Sequence, residues 1–428
     1  MTQNTTKTAK TTSKDSTNST KDSKHTKDST NSTKDSNNYN IIVITDSGCE
    51  EAAQIEILRW LPKADIAVTE HEVRLAGTIQ NAALLGYRLQ TARRVMIELL
   101  PRIQKKQLDK IDSYEFPAHI KAAVFKPETT FKVEAEVLEM HPNWDISYSK
   151  KPLSEKMSAH EIIDEVGGWA FKTLKQKVDL KRPDVVIAAI ANKDMITIGI
   201  DMIGSPLAKR EYRIMLNSQR GIKSTIAAAT IIYADALKGI VLDPMPGDGI
   251  FCIEAALLRT KTSPRKYQRI FSCAKFPALE GDLDWRSDKE KIVDRNIMAY
   301  ASSMKEMKAV RTNSKLANCD DAILSTKVSI DWMDIKLDPK SVDCIVTAPP
   351  CSGRSLFAKD ALKIQDMLFN QAEYILKNKG SVTCIVEKPI EIIDVAKKYK
   401  LVVEKERVIY MGMREMTIVT FKKNLNKE

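Results

Sequence analysis

A strand–turn–helix pattern at residues 240–256, which read IVLDPMPGDGIFCIEAA, restricts the fold of this chain more than any other feature. Three apolar residues lead into Asp243, and Gly247 and Gly249 follow before a helix-like run from Ile250. Glycines allow a tight turn and let a ligand approach the backbone, where the free N–H groups of a helix N-terminus face it. The pattern predicts a parallel α/β sheet with a ligand site at the carboxyl end of this strand.

The rest of the second half also alternates between strand-like and helix-like runs. This rhythm is typical of βαβ units, so we expect a Rossmann-like α/β domain at 206–425. The first half is mixed α+β and is expected to form a separate module at 41–205. Its predicted strands are 41–45, 95–99, 131–137, 184–190 and 195–201, and its predicted helices are 81–94 and 159–175.

The first 40 residues differ from the body of the chain because they contain no Val, Ile, Leu, Phe or Trp. They repeat the decamer KDSTNSTKDS at 14–23 and 27–36. Ordering a backbone costs about 1–2 kcal/mol per residue, which a segment without apolar side chains cannot offset. We therefore expect a disordered low-complexity tail at 1–40, a solubilising extension rather than an RNA tether.

Charge, cysteine content and hydropathy narrow the class of protein. The 428 residues carry a formal charge of +11, which favours a polyanionic partner such as nucleic acid. Seven cysteines without a Cys-x-x-Cys pair and five scattered histidines predict neither a disulfide framework nor a metal site. No apolar run approaches the roughly 18 residues of a membrane span, and no secretory signal is visible. We expect a cytoplasmic protein without a membrane partner.

Carboxylates after two further predicted strands suggest a nucleoside pocket. Asp282 follows a second strand predicted at 276–280, where a carboxylate accepts from ribose hydroxyls, and Asp334 follows a third strand predicted at 328–331. Either residue alone would be an ordinary loop carboxylate. Together with Asp243 they favour a pocket for a nucleoside. The spacing D-x-x-x-G-x-G suits the amino acid end of S-adenosylmethionine better than a pyrophosphate.

Several motifs, in their order, resemble the THUMP-domain RNA methyltransferases, the tRNA guanine-N2 methylases. Residues 206–213 read PLAKREYR, where the family has L-x-K-R-x-Y-R, and 243–256 resemble the family's D-P-M-C-G-S-G-T-I-x-I-E-A-A. The first half resembles the family's ferredoxin-like plus THUMP module through YRLQTARRV at 87–95 and VDLKRPD at 178–184. The similarity extends from about residue 41 to residue 421.

The resemblance implies an S-adenosylmethionine-dependent methyltransferase whose first module docks structured RNA, typically a tRNA. Carried over by position, Asp243, Gly247 and Gly249 line the methionine end of the cofactor, Asp282 takes the ribose and Asp334 the adenine amino group. Phosphate contacts are implied for Lys209, Arg210 and Arg213. No metal is needed, because the sulfonium is already an activated leaving group.

The catalytic loop departs from the family. The family has [N/D]-P-P-[Y/F], where this chain has Ala348, Pro349, Pro350 and Cys351. Ala348 lacks the side-chain acceptor for the target amine, and Cys351 lacks the ring whose stacking on a base is worth about 1–3 kcal/mol. Backbone carbonyls near Ala348 and Pro349 remain as acceptors. The sequence predicts a methylase of a guanine amine in tRNA, with a catalytically degenerate RNA-binding relative as the alternative.

The glycine turn departs from the family as well, at Pro246, Asp248 and Ile250, where the family has Cys, Ser and Thr. A carboxylate at Asp248 would repel the methionine carboxylate unless it points away or binds the ammonium group.

A third reading comes from residues 350–353, PCSG, which resemble the cysteine element of RNA cytosine-C5 methylases. Those enzymes need a second cysteine at the pocket, and the candidate here, Cys384, is predicted to lie within a strand. A free cysteine is more often a small buried apolar residue than a nucleophile, so this is the weakest of the three readings.

A basic stretch at 259–269 carries five positive charges and no acid, beside the predicted pocket. Arg265 and Lys266 are expected to grip the RNA backbone near the target base, with a solvated basic loop as an equal alternative. Arg354 follows the catalytic loop and is predicted as a further phosphate contact.

Overall fold

The computed structural model describes residues 38–138, 158–216, 221–268, 270–282, 284–287, 295–353 and 357–424. All but the last three residues of the predicted tail at 1–40 lie outside these residues. Tyr39 is already part of the first strand and is 2% exposed. Among the described residues, no helix is long and apolar enough to cross a membrane.

One eight-stranded sheet is built from the first half of the chain, in the order β2-β3-β1-β4-β8-β7-β5-β6. Its strands are β1 Tyr39–Thr45, β2 Ile66–Thr69, β3 Glu72–Gly77, β4 Ala92–Gln104, β5 Thr130–Val137, β6 Lys177–Val178, β7 Val185–Asn192 and β8 Met195–Asp201. β5 runs parallel to β6 and β7, and the other neighbours are antiparallel. The helices are α1 Glu50–Trp60, α2 Ile79–Arg88, α3 Ala118–Val124 and α4 Ala159–Leu174, with a 3-10 helix at Lys105–Ser113.

A second sheet has seven strands in the order β11-β10-β9-β12-β13-β15-β14. They are β9 Val241–Asp243, β10 Ile297–Ala301, β11 Ile323–Lys327, β12 Val342–Thr347, β13 Leu376–Val386, β14 Leu401–Met411 and β15 Arg414–Lys423. The helices are α5 Ser224–Tyr233, α6 Ile250–Thr260, α7 Met304–Leu316, α8 Met333–Lys336, α9 Ala358–Ile375 and α10 Pro389–Ala396. β9 to β13 are mutually parallel, and β14 and β15 form an antiparallel edge.

The strand order of the second sheet reverses at β9, because β10 pairs with one side of it and β12 with the other. Ligands of open α/β sheets bind in the crevice outside the carboxyl ends of the strands at such a reversal. The predicted fold class, an α/β domain of the Rossmann type preceded by an α+β module, is confirmed.

The predicted second strand at 276–280 is wrong. This part of the chain forms two 3-10 helices, Ser272–Lys275 and Pro277–Leu279. Its apolar side chains, Phe276 and Leu279 among them, join the core of the first sheet. Pro277 lacks the N–H that a central strand would donate, which disfavours a strand here. The strand beside β9 is instead β10, which begins at Ile297.

Two other boundaries also differ from the sequence prediction. The strand after β10 is β11 at Ile323–Lys327, not residues 328–331. The helix predicted at 81–94 ends at Arg88, and residues from Ala92 onward belong to β4. Tertiary packing overrides the helix propensity of these residues, because Thr91 and Ala92 are fully buried at the start of β4.

Candidate functional site

A glycine turn connects β9 to α6 at the reversal point of the second sheet. Gly247 and Gly249 adopt positive φ angles of 53° and 86°. A Cβ at Gly249 would come within 3.3 Å of Val310, so a side chain there would crowd α7. A Cβ at Gly247 would meet no described atom within 4 Å. Gly247 therefore borders open space that a ligand can occupy.

The turn forms one wall of a cavity of about 930 Å³. The loop after β12, the end of β13, the start of β15 and the stretch that contains Arg213 and Ile222 also line it. The predicted catalytic residues Ala348, Pro349, Pro350 and Cys351 all line this cavity together with Gly247. The structure thus brings the predicted cofactor turn and the predicted catalytic loop to one place.

Asp243 ends β9 beneath this turn and is 1% exposed. Its Oδ1 accepts a hydrogen bond from the Met245 amide at 3.1 Å, whereas Oδ2 has no hydrogen-bond partner within the described residues. Burial raises the pKa of Asp243 to about 7 against the opposing effects of the Thr347 side chain and the Met245 amide, and the charges of Asp248 and Glu306 add to the rise. A buried carboxylate with a free oxygen is poised for a cationic or hydrogen-bond-donating partner.

The negative charge of Asp248 is neutralised by Arg213. Its Oδ2 lies 2.5 Å from Arg213 Nε, and its Oδ1 accepts from the Ile250 amide at 3.2 Å. Burial raises the pKa of Asp248, while the Arg213 charge acts against that rise. Arg213 also donates to the Ile222 carbonyl at 2.7 Å. Arg213, predicted as a phosphate contact, is therefore a wall of the cavity that compensates Asp248.

The structure does not place Asp282 at the cavity. Because 276–280 is not a strand of the second sheet, Asp282 follows a 3-10 helix that packs on the first sheet, and its carbonyl accepts from Trp285 Nε1 at 2.8 Å. Its predicted role at the ribose is wrong for this reason. Asp334 lies exposed in α8, where its amide donates to Gln371 Oε1 at 2.8 Å, and it does not line the cavity. An adenine contact for Asp334 remains a prediction.

A carboxylate close to the end of β10 belongs to Glu306, which sequence reasoning missed. β10 ends at Ala301, and the Glu306 carboxylate accepts from the amide and hydroxyl of Ser302 at 3.0 and 2.8 Å. Ser303 caps α7 by accepting from the Glu306 amide at 3.2 Å. The Ser-x-x-Glu signature at 303–306 is the sequence signal that marks this helix start.

Two of the predicted RNA contacts are buried structural residues. Arg210 is 5% exposed, pairs with Glu254 at 2.8 Å and donates to the Gln90 carbonyl at 2.7 Å. Arg265 is also 5% exposed and donates to the Tyr87 and Leu89 carbonyls at 3.1 and 3.0 Å. Burial lowers the pKa of Arg265 to about 9. Both predictions are wrong, because neither guanidinium can reach a phosphate.

The remaining predicted phosphate contacts have different outcomes. Lys209 and Lys266 are exposed, so their predicted contacts with RNA stay open. Arg354 lies outside the described residues. Within the basic stretch at 259–269, Arg259 donates to the carbonyls of Ala236 and Lys238, in the turn that follows α5.

A hydroxyl with two charged neighbours lies in the catalytic loop. Ser352 lines the cavity, accepts from Lys388 Nζ at 2.6 Å and donates to Glu391 Oε1 at 2.7 Å. Lys388 and Glu391 also pair with each other at 3.3 Å. The hydrogen bond and the Lys388 charge hold the pKa of Glu391 below its usual value despite partial burial. These contacts fix the loop to the start of α10.

The two cysteines that a cytosine-C5 methylase would need differ in accessibility. Cys351 lines the cavity and is half-buried, whereas Cys384 is fully buried in the apolar layer beneath the sheet. Burial raises the pKa of the Cys384 thiol well above its usual value. A buried, protonated thiol does not attack a base. The geometry gives no support to a two-cysteine mechanism.

Comparison with known proteins assigns both halves of the chain. Residues 114–201 match the THUMP domain, and residues 210–416 match the RMKL-like methyltransferase domain. Ribosomal RNA large subunit methyltransferase K/L of Acinetobacter baumannii is 24% identical over 363 residues, which are 77% of this chain and 48% of that protein. The tRNA (guanine(6)-N2)-methyltransferase of Methanocaldococcus jannaschii is 27% identical over 249 residues, 56% of this chain and 64% of that protein.

Among solved structures, SMU.472 complexed with SAH superimposes with a TM-score of 0.72 at 19% identity, covering 90% of this chain and 98% of that one. This likeness concerns the fold. The chain spans about half the length of the K/L relatives it matches. The two domain matches and the reversal-point cavity agree: the chain carries a THUMP domain followed by an RMKL-like methyltransferase domain.

Proposed function

We propose that this protein is an S-adenosylmethionine-dependent RNA methyltransferase that methylates the exocyclic N2 of a guanine in tRNA. The observation that carries this proposal is the single cavity shared by Gly247 and the loop from Ala348 to Gly353. The part of the lining at Gly247 suits a nucleoside cofactor, and the loop from Ala348 to Gly353 suits a target base. Positioning two reactants in this way is the main catalytic contribution required.

The residues present fit the methionine end of S-adenosylmethionine. The backbone at Gly247 borders open space, and Asp243 Oδ2 makes no hydrogen bond among the described residues. The first amide of α6, from Ile250, already donates to Asp248 Oδ1, so a ligand carboxylate would bind the amides that follow it. Glu306 does not line the cavity, but its carboxylate, in the first turn of α7 shortly after β10, is our candidate for the ribose hydroxyls. When bound, the cofactor supplies a methyl group on a sulfonium that is already activated. The SAH complex of SMU.472 supports this choice of cofactor.

The target amine needs acceptors that Ala348 does not supply from its side chain. The Pro350 carbonyl is occupied by Gln365 Nε2 at 2.9 Å, which leaves the carbonyls of Ala348 and Pro349 for this task. The Ser352 hydroxyl is a further acceptor, since it donates to Glu391 and keeps a lone pair beyond the one that Lys388 uses. Acceptors on the amine hold its nitrogen in line with the methyl group.

The choice of tRNA and of guanine N2 rests on the named activity of the M. jannaschii relative, whereas the K/L relatives are named for ribosomal RNA. Mapping modified nucleosides by mass spectrometry in tRNA and rRNA, from cells with and without this protein, separates the two. We expect loss of one N2-methylguanosine from tRNA. Loss of N2-methylguanosine from rRNA alone would show that the substrate is rRNA and not tRNA. Loss of a pyrimidine modification would refute the guanine assignment.

A degenerate RNA-binding protein is the second candidate, favoured by Ala348, Cys351 and the absence of a carboxylate directly at the end of β10 within the described strand. A calorimetric titration with S-adenosylhomocysteine distinguishes it. Gly247→Ala should weaken binding about tenfold or more, because the new methyl group enters the cavity. Gly281→Ala is the matched control, since Gly281 also has a positive φ and open space but lies outside the cavity. Absence of binding by the wild type would favour the degenerate protein.

A further inference from the structure

A lysine-rich cleft lies at the opposite end of the second sheet from the candidate active site. It has a volume of about 840 Å³ and is lined by residues at the amino ends of β12, β13 and β14 and the carboxyl end of β15. The active-site cavity lies at the carboxyl ends of β9, β12 and β13. The two cavities are therefore separate.

Six lysines and three carboxylates line the cleft. The lysines are Lys238, Lys340, Lys377, Lys379, Lys405 and Lys422, and the carboxylates are Asp235, Asp343 and Glu404. Two carboxylates are already neutralised within the cleft, Asp343 by Lys377 at 2.7 Å and Glu404 by Lys422 at 2.6 Å. Asp343 is further engaged by the Ile240 amide at 2.8 Å.

The other four lysines give the cleft its net charge. Lys238, Lys340, Lys379 and Lys405 are exposed, and no ion pair to them is seen in the part of the chain that the structure describes. Lys340 is held in a left-handed conformation with φ 55°, and its amide donates to the Tyr374 carbonyl at 3.1 Å. Lys423, close to Lys340, has its pKa lowered by burial and by the Lys340 charge. The cleft has fewer carboxylates than lysines, so it favours binding of an external anion.

We propose that this cleft binds the phosphate backbone of the RNA substrate, at a second contact remote from the cavity where methyl transfer is proposed. The inference rests on the proposed RNA methyltransferase function. Four neighbouring strands, from β12 to β14 in sheet order, border the cleft. At about 4.8 Å between strands they span roughly 14 Å. Phosphates recur every few ångströms along a nucleic-acid strand, so the lysines can follow several of them.

Lysine suits this task because it meets phosphates as a mobile point charge and reads no sequence. An RNA that contacts both ends of the sheet must be larger than a short stem. The cleft therefore favours folded RNA over an isolated loop, while leaving base selection to the active-site cavity.

The test is a triple charge reversal, K340E/K379E/K405E, in the full-length protein. The control K363E/K397E/K398E changes the same net charge on α9 and just beyond α10, outside both cavities. Binding of unfractionated tRNA is measured by fluorescence anisotropy between about 50 and 300 mM KCl, a range over which phosphate contacts weaken strongly. Circular dichroism and S-adenosylhomocysteine binding verify that both variants fold.

We expect the cleft variant to bind RNA at least about tenfold more weakly at low salt. The plot of log K against log[salt] should become shallower, with the magnitude of its slope smaller by about two to three. The control should change both quantities much less. Equal affinity and slope for wild type and cleft variant would overturn the inference. If the wild type methylates RNA and the cleft variant binds normally, only the cleft fails. If binding depends on the cleft but no methyl is transferred, only the proposed activity fails.

Discussion

At the scale of single residues, Asp243 is a carboxyl group whose environment differs strongly from water. Its carboxylate is completely buried beneath the glycine turn, and its pKa is raised to about 7. The folded protein therefore holds a proton on Asp243 at pH values where the unfolded chain has lost it. This contribution to the free energy of unfolding is fully present below about pH 4 and is lost as the pH rises through 7.

Asp243→Asn removes this titration. We expect the free energy of unfolding of the variant, relative to wild type, to rise between pH 4 and pH 8 by up to roughly 4 kcal/mol. Urea denaturation across this range, followed by circular dichroism, measures the difference. Parallel pH profiles for the two proteins would show that Asp243 is not shifted.

Ser352 is a residue at which the geometry suggests a role that no motif predicted. With Lys388 at 2.6 Å and Glu391 at 2.7 Å, its hydroxyl is held at the cavity wall. We expect Ser352→Ala to lower kcat by up to about a hundredfold, the low end of the effect of removing one positioned hydrogen-bonding group from an active site. Ser352→Thr should recover much of the loss because it restores the hydroxyl.

Single-turnover methyl transfer with saturating RNA measures this effect, and S-adenosylhomocysteine titration verifies that cofactor affinity is unchanged. A merely structural role would lower the affinity or the melting temperature along with kcat. Full turnover by the alanine variant would remove Ser352 from the account.

Residue roles were predictable only where they depend on local sequence. The positive φ angles of Gly247 and Gly249 follow from the strand–turn–helix pattern, and the structure has both. Arg210 and Arg265 were misjudged because a charged side chain in a basic stretch looks exposed until its tertiary partners are known. Burial of arginine by carbonyls from a distant segment leaves no local signature.

At the scale of elements, a buried ion pair connects α6 to the segment before it. Glu254 of α6 is 0% exposed and receives Arg210 at 2.8 Å, with Tyr212 donating to the same carboxylate. Arg210 also donates to the carbonyl of Gln90, between α2 and β4. The pair therefore joins the methyltransferase sheet to the first module.

Arg210→Ala should lower the free energy of unfolding by about 3–5 kcal/mol, because it leaves Glu254 buried without a countercharge. The double variant R210M/E254L should recover part of this loss. Lys397→Ala, which removes an exposed pair with Asp394, is the control and should cost less than about 1 kcal/mol. A change for Arg210→Ala as small as that of the control would contradict the buried pair.

Element prediction failed where apolar side chains serve the other sheet. Phe276 and Leu279 give the apolar run of a strand, yet they fill the core of the first sheet from a pair of 3-10 helices. The prediction of Asp282 as a ribose ligand failed with that strand. By contrast, β8 and α4 were predictable because their sequence patterns and their burial agree.

At the scale of the whole molecule, the order of strands made the site predictable although individual residues did not. A βαβ rhythm with a glycine turn after the first strand implies a reversal point, and the cavity lies there. The lysine cleft was not predictable, because its six lysines come from five separate stretches of the chain. Only the folded sheet brings them together.

The central claim is that the cavity between Gly247 and the loop from Ala348 to Gly353 transfers a methyl group to RNA. Purified protein incubated with S-[methyl-³H]adenosylmethionine and total cellular RNA, followed by digestion to nucleosides, tests this most directly. The account predicts tritium in N2-methylguanosine from the tRNA fraction, and its loss with Gly247→Ala but not with Gly281→Ala. Absence of tritium from every RNA fraction, with wild-type protein that binds S-adenosylhomocysteine, would contradict it.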